Sequence, residues 1–370
     1  MKPFAKKSFG QKQYLVILIS LLLVFILYHA VVYLFITSKV INIAPPYSVG
    51  DLSRMGYQTG SNNLRKLNIT LSKTHLEGSQ YKQQPIDMLT IGDSFSNGGG
   101  GGTNPFYQDY LATYYGYTVL NIRPLPEYKE GFLETIIALI NSGTLDEIKP
   151  KAILLEFGNR SIFDRFNKRF EWDLTLPKNQ IISDISQMKR NNVADSIPKD
   201  IFFINESNYK TLINTVKFRY KPCLSNGVCR LPLKQDFFTV KESHILEFYK
   251  DEITYLSQVD QKSVSNINNN FNHIAELLRA KGIAFYVMPI VDKHDLYQPY
   301  LQNDPYGANP LFDYLRPLEK RYTLIDTKAI LSKELDKGRK DIFFADDTHW
   351  SNLAAETVMK EASFHNLRGH

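Results

Sequence analysis

The longest apolar run in the chain lies near its N-terminus, from Tyr14 to Ile36, and His29 is its only readily ionisable member near neutral pH. A helix of this length reaches roughly 35 Å, enough to cross the hydrocarbon core of a bilayer with some tilt. A cleaved signal peptide has a shorter apolar region and a small-x-small cleavage site, whereas this run continues into Thr-Ser-Lys. The pattern therefore predicts an uncleaved signal anchor over residues 14–36.

Basic residues flank this run unequally, because four lysines lie within residues 1–13 and Lys39 alone follows directly. Lysine and arginine are retained on the cytoplasmic side of a span. We therefore expect a single-pass protein of the inner (cytoplasmic) membrane, with a cytoplasmic basic tail and an extracytoplasmic, periplasmic domain. Much of the formal charge of +6 is explained in this way, and no nucleic-acid partner is expected. His29, near the outer end, is expected to extend to the interface.

Beyond the span, short apolar runs alternate with amphipathic segments. Residues 37–84 are rich in Ser, Thr, Asn and Gly, and we expect a juxtamembrane connector with little core of its own. Buried strands are predicted at 86–92, 117–122, 151–157, 283–290 and 322–326, with helices at 105–116, 129–142, 261–281 and from 352 onward. This alternation predicts an α/β domain over residues 85–370 with a parallel sheet.

Residues 160–255 interrupt the alternation, since they are polar, rich in Asn and Lys, and without a clean period. We interpret them as an insertion within the domain. The two cysteines of the chain, Cys223 and Cys229, lie there. In an oxidising compartment such a pair forms a local disulfide across a turn. The alternative, half of a zinc site, lacks nearby histidines or further cysteines at ligand spacing.

The first candidate for chemistry is Gly-Asp-Ser-Phe-Ser at residues 92–96, directly after a predicted strand. Parallel sheets bind ligands beyond the carboxyl ends of their strands, so Ser94 is expected to stand in a crevice. Backbone N–H groups that follow such a serine can face an oxyanion, which makes Gly98 and Gly99 candidates for oxyanion or substrate binding. Alone, the same residues are equally typical of a plain turn.

The second candidate is Asp-Asp-Thr-His-Trp at residues 346–350. A serine nucleophile needs a base and an acidic group that orients the base, and His349 with Asp346 or Asp347 offers both from one loop. The alternative is a capped helix start with an incidental histidine. No second cluster offers further ligands, so no metal is expected.

Together the two segments resemble the first and last blocks of the SGNH/GDSL hydrolase superfamily. DTHW is similar to the SGNH domains of the alginate O-acetyltransferase family, which are membrane-anchored polysaccharide O-acetyltransferases, and MPIVDKHDLYQPY (288–300) resembles a Pro-x-x-Lys element of that family. The resemblance implies a three-layer α/β/α SGNH (flavodoxin-like) domain. It also implies that Ser94 is the nucleophile, His349 the base and Asp347 the orienting carboxylate.

The chain departs from the family pattern at three points. The Asp-x-His pair follows the serine, as in ordinary SGNH hydrolases, whereas it precedes the serine in the alginate enzymes. Asp346 would satisfy the commoner Asp-x-x-His spacing, so either aspartate remains open. The Gly-x-Asn-Asp block has an imperfect counterpart in Gly158-Asn159-Arg160. Asn159 at a strand end could donate to an oxyanion or simply turn the chain.

Three further side chains are candidates for substrate binding. Arg160 could hold a carboxylate or pair with Glu156 four residues earlier. Lys293 and Tyr297 follow a predicted strand and could bind substrate, or could lie in a solvated loop.

By the resemblance, the expected function is transfer of an acyl group, most simply acetyl, to hydroxyls of an extracytoplasmic polysaccharide. A multi-spanning membrane acyltransferase is the expected donor and partner, and no soluble cofactor is implied. One alternative is a carbohydrate or lipid esterase, which shares the acyl-enzyme. The other is a non-catalytic assembly protein with a relict site.

The topology is testable with a reporter that is active only outside the cytoplasm. Fused after residue 370, it should be active if residues 14–36 form a signal anchor, because the charge asymmetry keeps the N-terminus inside. Recovery of a mature soluble form that starts near residue 40 would contradict the anchor.

Overall fold

A computed structural model describes residues 10–38, 49–58, 60, 65, 69–190 and 202–364. Its strands are β1 Leu76–Glu77, β2 Met88–Ile91, β3 Val119–Ile122, β4 Ala152–Gly158, β5 Val228–Pro232, β6 Ile245–Tyr249, β7 Ala284–Ile290 and β8 Thr323–Leu324. Its α-helices up to the insertion are α1 Gln11–Val32, α2 Asp51–Gly56, α3 Tyr107–Tyr114, α4 Phe132–Asn141, α5 Thr144–Ile148 and α6 Ile162–Phe166. The later α-helices are α7 Lys178–Gln187, α8 Ser207–Phe218, α9 Asp251–Thr254, α10 Gln261–Arg279, α11 Lys293–Tyr297, α12 Leu311–Leu315, α13 Thr327–Asp336 and α14 Asn352–Glu361.

Six strands form one parallel sheet in the order β1-β3-β2-β4-β7-β8. The chain runs from β2 outward to β3 and then returns past β2 to β4, so the direction of winding reverses between β2 and β4. Ligand crevices of open α/β sheets form at such a reversal, beyond the carboxyl ends of the two strands. The fold therefore makes the segments after Ile91 and Gly158 the walls of one crevice.

Side chains that alternate along the strands enter two separate hydrophobic clusters. Ile153 and Leu155 pack on one face with helices α4 and α10, whereas Ala152 and Leu154 pack on the other face with α3, α13 and α14. Strands that are buried on both faces have continuous apolar sequences, which is why these strands could be predicted. The predicted three-layer α/β arrangement is confirmed.

The prediction that residues 37–84 are a connector with little core of its own is wrong at α2 and β1. Leu52 on α2 is fully buried, and β1 forms the edge of the main sheet by pairing with β3. A helix of six residues and a strand of two are too short to leave a periodic pattern in the sequence. Residues 39–48 lie outside the described chain.

Helix α1 continues through a π-helical turn, Tyr33–Thr37, and the combined segment is the one described helix that is long and apolar enough to span a membrane. Most of its apolar side chains are exposed. His29, which is predicted to reach the interface, is buried against the insertion. Its Nδ1 lies 2.7 Å from Asn208 Nδ2 and its Nε2 lies 2.9 Å from Tyr209 Oη.

The predicted insertion, residues 160–255, folds as short helices and an antiparallel pair, β5 and β6. A disulfide joins Cys223 to Cys229, across the turn that precedes β5. The isolated bridge between Leu233 and Leu301 ties this pair to the main domain. Residues 191–201 lie outside the described chain.

Candidate active site

Ser94 stands in the loop after β2, and its side chain is exposed at the crevice. The neighbouring Asp93 carboxylate fixes this loop, since it accepts hydrogen bonds from Phe95 N at 3.2 Å and from Gly158 N at 2.9 Å. Arg165 also donates to it at 2.8 Å. The ends of β2 and β4 are thereby tied together around the serine.

The two sequence segments, 255 residues apart, meet at this point. Ser94 Oγ lies 2.7 Å from His349 Nε2, and His349 Nδ1 lies 2.6 Å from Asp347 Oδ1. Asp347 Oδ1 also accepts a hydrogen bond from the His349 backbone N–H at 3.0 Å. Both side-chain distances fall within hydrogen-bond range, as the spacing of the motifs predicted. Asp347, not Asp346, contacts the imidazole.

Asp346 instead forms part of a buried ion cluster with Arg65, a residue that the sequence did not indicate. Arg65 donates to both Asp346 oxygens, at 2.8 and 3.2 Å, and to Asp347 Oδ2 at 3.1 Å. Its Nε donates to the carbonyl oxygen of Gly100, and its guanidinium stacks on Phe344 at 4.5 Å. Because Arg65 is only 2% exposed, these charges are shielded from water.

This cluster sets the ionisation of the groups around His349. Burial raises the pKa of the Asp347 carboxyl, but the His349 imidazole and the Arg65 guanidinium outweigh burial and hold that pKa well below its usual range. Burial also opposes charge on His349, and the Asp347 carboxylate overcomes it and raises the pKa of the imidazole. Asp347 is therefore anionic whenever the site is folded, and His349 is a stronger base than a free histidine.

Asp51 at the start of α2 completes the support of this loop. Its carboxylate accepts hydrogen bonds from the backbone N–H and hydroxyl of Thr348, at 2.8 and 2.5 Å. Gly50 N donates to Asp346 at 2.9 Å, and a Cβ at Gly50 would fall 2.0 Å from the Asp346 carbonyl oxygen. In the sequence, Gly-Asp before a short helix indicates no more than a helix start, so this contact was missed.

Gly99 is one of the two glycines predicted to bind an oxyanion or substrate. In the structure it makes room for a neighbouring side chain and does not serve as an oxyanion donor. Gly99 N already donates to Ser94 O at 2.7 Å, and a Cβ on Gly99 would lie 2.3 Å from His349 Nε2. Gly99 therefore lets the imidazole approach the loop, and its prediction as an oxyanion donor is wrong. Gly98 has a positive φ of 77° and packs on Phe106, a conformation that favours glycine.

Lys293 and Tyr297 are neither substrate contacts nor parts of a solvated loop, so both readings are wrong. Lys293 is fully buried, and its ammonium donates to the carbonyl oxygens of Phe344, Ala345 and Asp347 at 2.7, 2.8 and 3.1 Å. The buried Tyr297 hydroxyl accepts a hydrogen bond from Phe343 N at 3.4 Å. The two side chains support the loop of residues 343–349, called the aspartate loop from here on. They do so because buried backbone carbonyl and N–H groups need hydrogen-bond partners.

Asn159 and Arg160 directly follow β4, in the segment that forms one wall of the crevice. The Asn159 side chain is fully buried, and neither its Oδ1 nor its Nδ2 has a hydrogen-bond partner among the described residues. Arg160 is half-buried, with its guanidinium 5.9 Å from the Tyr249 ring. The predicted pairing with Glu156 does not form, since that carboxylate accepts from Ser96 Oγ at 2.6 Å instead.

Asp51, Asp347 and His349 offer ligand atoms within 4.8 Å of one another, so they are the group that could hold a metal ion. These atoms are already engaged, because Asp347 accepts from His349 and Asp51 accepts from Thr348. The Arg65 guanidinium beside Asp347 also disfavours a second cation.

Replacement of Arg65 by glutamine should destabilise the protein and shift its pH profile. A buried ion cluster that loses its cation costs about 3–5 kcal/mol in the free energy of unfolding. Without the positive charge, the protonated imidazole becomes more favourable, so the pH midpoint of any His349-dependent activity should rise. Urea unfolding and a pH–rate profile measure the two effects.

Arg316→Gln is the matched control, because Arg316 also holds two aspartates, Asp313 and Asp326, at the surface. It should cost at most about 1 kcal/mol and leave the pH midpoint unchanged. If Arg65→Gln behaves like Arg316→Gln in both measurements, Arg65 does not position the aspartate loop.

Comparison with known proteins adds one finding. Residues 248–363 match the family described as "SGNH hydrolase-like domain, acetyltransferase AlgX", a stretch that includes β7 and the loop with Asp347 and His349 but not Ser94. No curated protein matches the chain at a significant level. Over residues 248–363 the chain is thus similar to the SGNH hydrolase-like domain of acetyltransferase AlgX, and its parallel sheet flanked by helices is an α/β fold.

Proposed function

We propose that the chain is an O-acyltransferase that works through an acyl-enzyme on Ser94. One observation carries the proposal, the continuous hydrogen-bonded relay from Ser94 through His349 to Asp347 at 2.7 and 2.6 Å. A nucleophile within reach of a base, with the base oriented by a third group, is the arrangement that activates a serine. The exposed position of Ser94 at a crevice lets an acyl donor reach it.

In the first half-reaction, Ser94 Oγ attacks the carbonyl carbon of the donor while His349 Nε2 takes the hydroxyl proton. Asp347 keeps the Nδ1 proton on the far side of the ring and stabilises the imidazolium. The tetrahedral intermediate then collapses, the bond to the leaving oxygen breaks, and His349 returns its proton to that oxygen. An acyl ester on Ser94 remains.

In the second half-reaction, the acceptor hydroxyl gives its proton to His349 Nε2 and attacks the acyl carbonyl. Collapse of the new tetrahedral intermediate releases the acylated acceptor and returns the proton to Ser94 Oγ. Water in place of the acceptor would give hydrolysis by the same steps. The choice between transfer and hydrolysis therefore depends on which hydroxyl occupies the crevice.

Asn159 is the side chain that we propose as oxyanion donor. Its buried Nδ2 is unpartnered among the described residues, and a buried amide without a partner costs free energy unless a ligand completes it. An oxyanion that forms beside the carboxyl end of β4 would supply that acceptor. Arg160, which follows it at the crevice, would hold a polar part of the donor or acceptor.

Transfer to a polysaccharide is favoured over hydrolysis by the similarity to the domain of an acetyltransferase. We propose acetyl as the acyl group and an extracytoplasmic polysaccharide as the acceptor. The apolar helix α1 would hold the domain at the membrane, where a multi-spanning acyltransferase would supply the acyl group. Tethering of enzyme and donor to one surface raises their effective concentration.

Ser94→Ala should reduce acyl turnover by a factor on the order of 10⁴ or more without loss of folding. The exposed hydroxyl adds little to the core, so the melting temperature should stay near that of the parent. Ser94→Ala combined with His349→Ala should be little worse than either alone, because the residues act as a unit. Release of p-nitrophenol from p-nitrophenyl acetate measures turnover, and mass spectrometry of an added oligosaccharide measures transfer.

Ser186→Ala, an exposed serine on α7, is the control and should retain parent activity. Retained turnover in the Ser94 variant would refute the acyl-enzyme. Turnover that depends on Ser94 but never acylates an acceptor would make the protein an esterase.

A further inference from the structure

Helix α8, Ser207–Phe218, has its faces reversed relative to a helix at the surface of a water-soluble domain. The residues that it buries are polar: Ser207, Asn208, Thr211 and Asn214. One exposed face consists of large apolar or aromatic side chains that are 41–54% exposed, Tyr209, Leu212, Ile213 and Val216, and Thr215 and Lys217 are exposed beside it. A helix in water buries its apolar stripe, so the outer face of α8 is suited to apolar surroundings.

Hydrogen bonds from Ser207, Asn208 and Asn214 to other parts of the protein hold the polar face inward. Asn214 Nδ2 donates to Gly56 O at 2.9 Å, and Ser207 Oγ lies 3.0 Å from Tyr57 Oη. Rotation of α8 to hide its apolar face would break these bonds and leave the buried carbonyl oxygen of Gly56 without its donor, at a cost of about 1–3 kcal/mol. The packing of α8 on the protein therefore determines that its apolar face is exposed.

The same helix is joined to the apolar helix α1 near the outer end of the latter. Tyr28 Oη donates to Asn208 O at 2.8 Å, and His29 Nε2 lies 2.9 Å from Tyr209 Oη. From Tyr14 to His29 a helix rises about 22 Å, and the hydrocarbon core is about 30 Å thick. If the span enters the core at Tyr14, these contacts lie about 8 Å below the outer boundary, within the 5–10 Å depth of interfacial helices.

The flanks of α8 have the composition of a membrane interface. Phe202 before it and Tyr220 after it are 86% and 82% exposed. Between residues 202 and 221 the sequence has four basic residues and one acidic residue, a net charge of +3. Aromatic rings at the headgroup level and basic side chains beside lipid phosphates both stabilise such a helix.

We propose that α8 and its flanks, residues 202–221, lie in the headgroup–acyl boundary of the leaflet on the domain side, as a second membrane contact beside α1. The proposal takes α1 as a membrane span and is independent of the proposed chemistry. The occupant of the apolar face is lipid, because α8 adjoins the span at membrane depth and its flanks are basic. Two contacts fix the tilt of the domain, and hence the height of the Ser94 crevice above the bilayer, where one span alone would not.

Tryptophan fluorescence in nanodiscs tests this proposal on the full chain. Leu212→Trp and Val216→Trp each place an indole on the outer face of α8. In nanodiscs with one chain each, made from phosphatidylcholine and phosphatidylglycerol, the added emission should be shifted to shorter wavelength than in water. Lipids brominated on their acyl chains should quench most of it. The parent chain supplies the contribution of the two native tryptophans.

Ile182→Trp is the matched control, since Ile182 is a 37% exposed isoleucine on α7. Its emission should be water-like and unaffected by bromine, and circular dichroism should show parent-like folding for all three variants. Water-like, unquenched emission at positions 212 and 216 would overturn the proposal while the chain still co-purifies with the disc through α1. Emission at short wavelength without quenching would also overturn it, because protein and not lipid would then cover the face.

Discussion

The buried ion cluster of Arg65 with Asp346 and Asp347 is the interaction on which the rest of the site depends. Two adjacent carboxylates in a dry interior repel each other, and burial alone would favour their protonated forms. The His349 imidazole, and after it the Arg65 guanidinium, hold the pKa of the Asp347 carboxyl low, and the anionic Asp347 holds the His349 ring toward Ser94. Loss of the Arg65 cation would therefore disturb the charge and the geometry of the relay together.

Three separate parts of the chain converge on the aspartate loop. The segment after the apolar helix caps it through Gly50 and Asp51, the start of α11 supports it through Lys293, and the glycine run packs against its histidine. Lys293 and Asp51 hold backbone groups of the loop, whereas Gly50 and Gly99 contact its side chains. The loop is thus preorganised by the fold, which is the condition for electrostatic stabilisation of a transition state.

The sequence predicted the elements whose environment is uniform along their length. β4 and β7 are buried on both faces and read as apolar runs, and α10 has a clear helical stripe. Ser94 and His349 were candidates because a nucleophile and a base have characteristic residue types in characteristic loops, and the choice of Asp347 over Asp346 came from the resemblance to the SGNH domains of alginate O-acetyltransferases. Their meeting at hydrogen-bond distance follows from the parallel sheet, which brings strand ends to one edge.

The sequence could not locate contacts that depend on a single distant partner. Arg65 lies 281 residues from Asp346, in a polar stretch that carries no local pattern. Lys293 was a candidate for substrate binding or for a solvated loop, yet it is buried and donates to three backbone carbonyls. Tyr209, Leu212, Ile213 and Val216 on α8 do have helical spacing, but the sequence could not show that this apolar face points away from the protein, the reverse of the arrangement expected in water.

Reaction of the full chain with a fluorophosphonate, followed by peptide mass spectrometry, tests whether His349 activates Ser94. The reagent modifies serines that a neighbouring base has activated. We expect one adduct, on Ser94, whose formation speeds up as pH rises through the raised pKa of His349 and is lost in His349→Ala. A folded chain that forms no adduct at Ser94, or forms it equally fast without His349, would show that Ser94 is not an activated nucleophile.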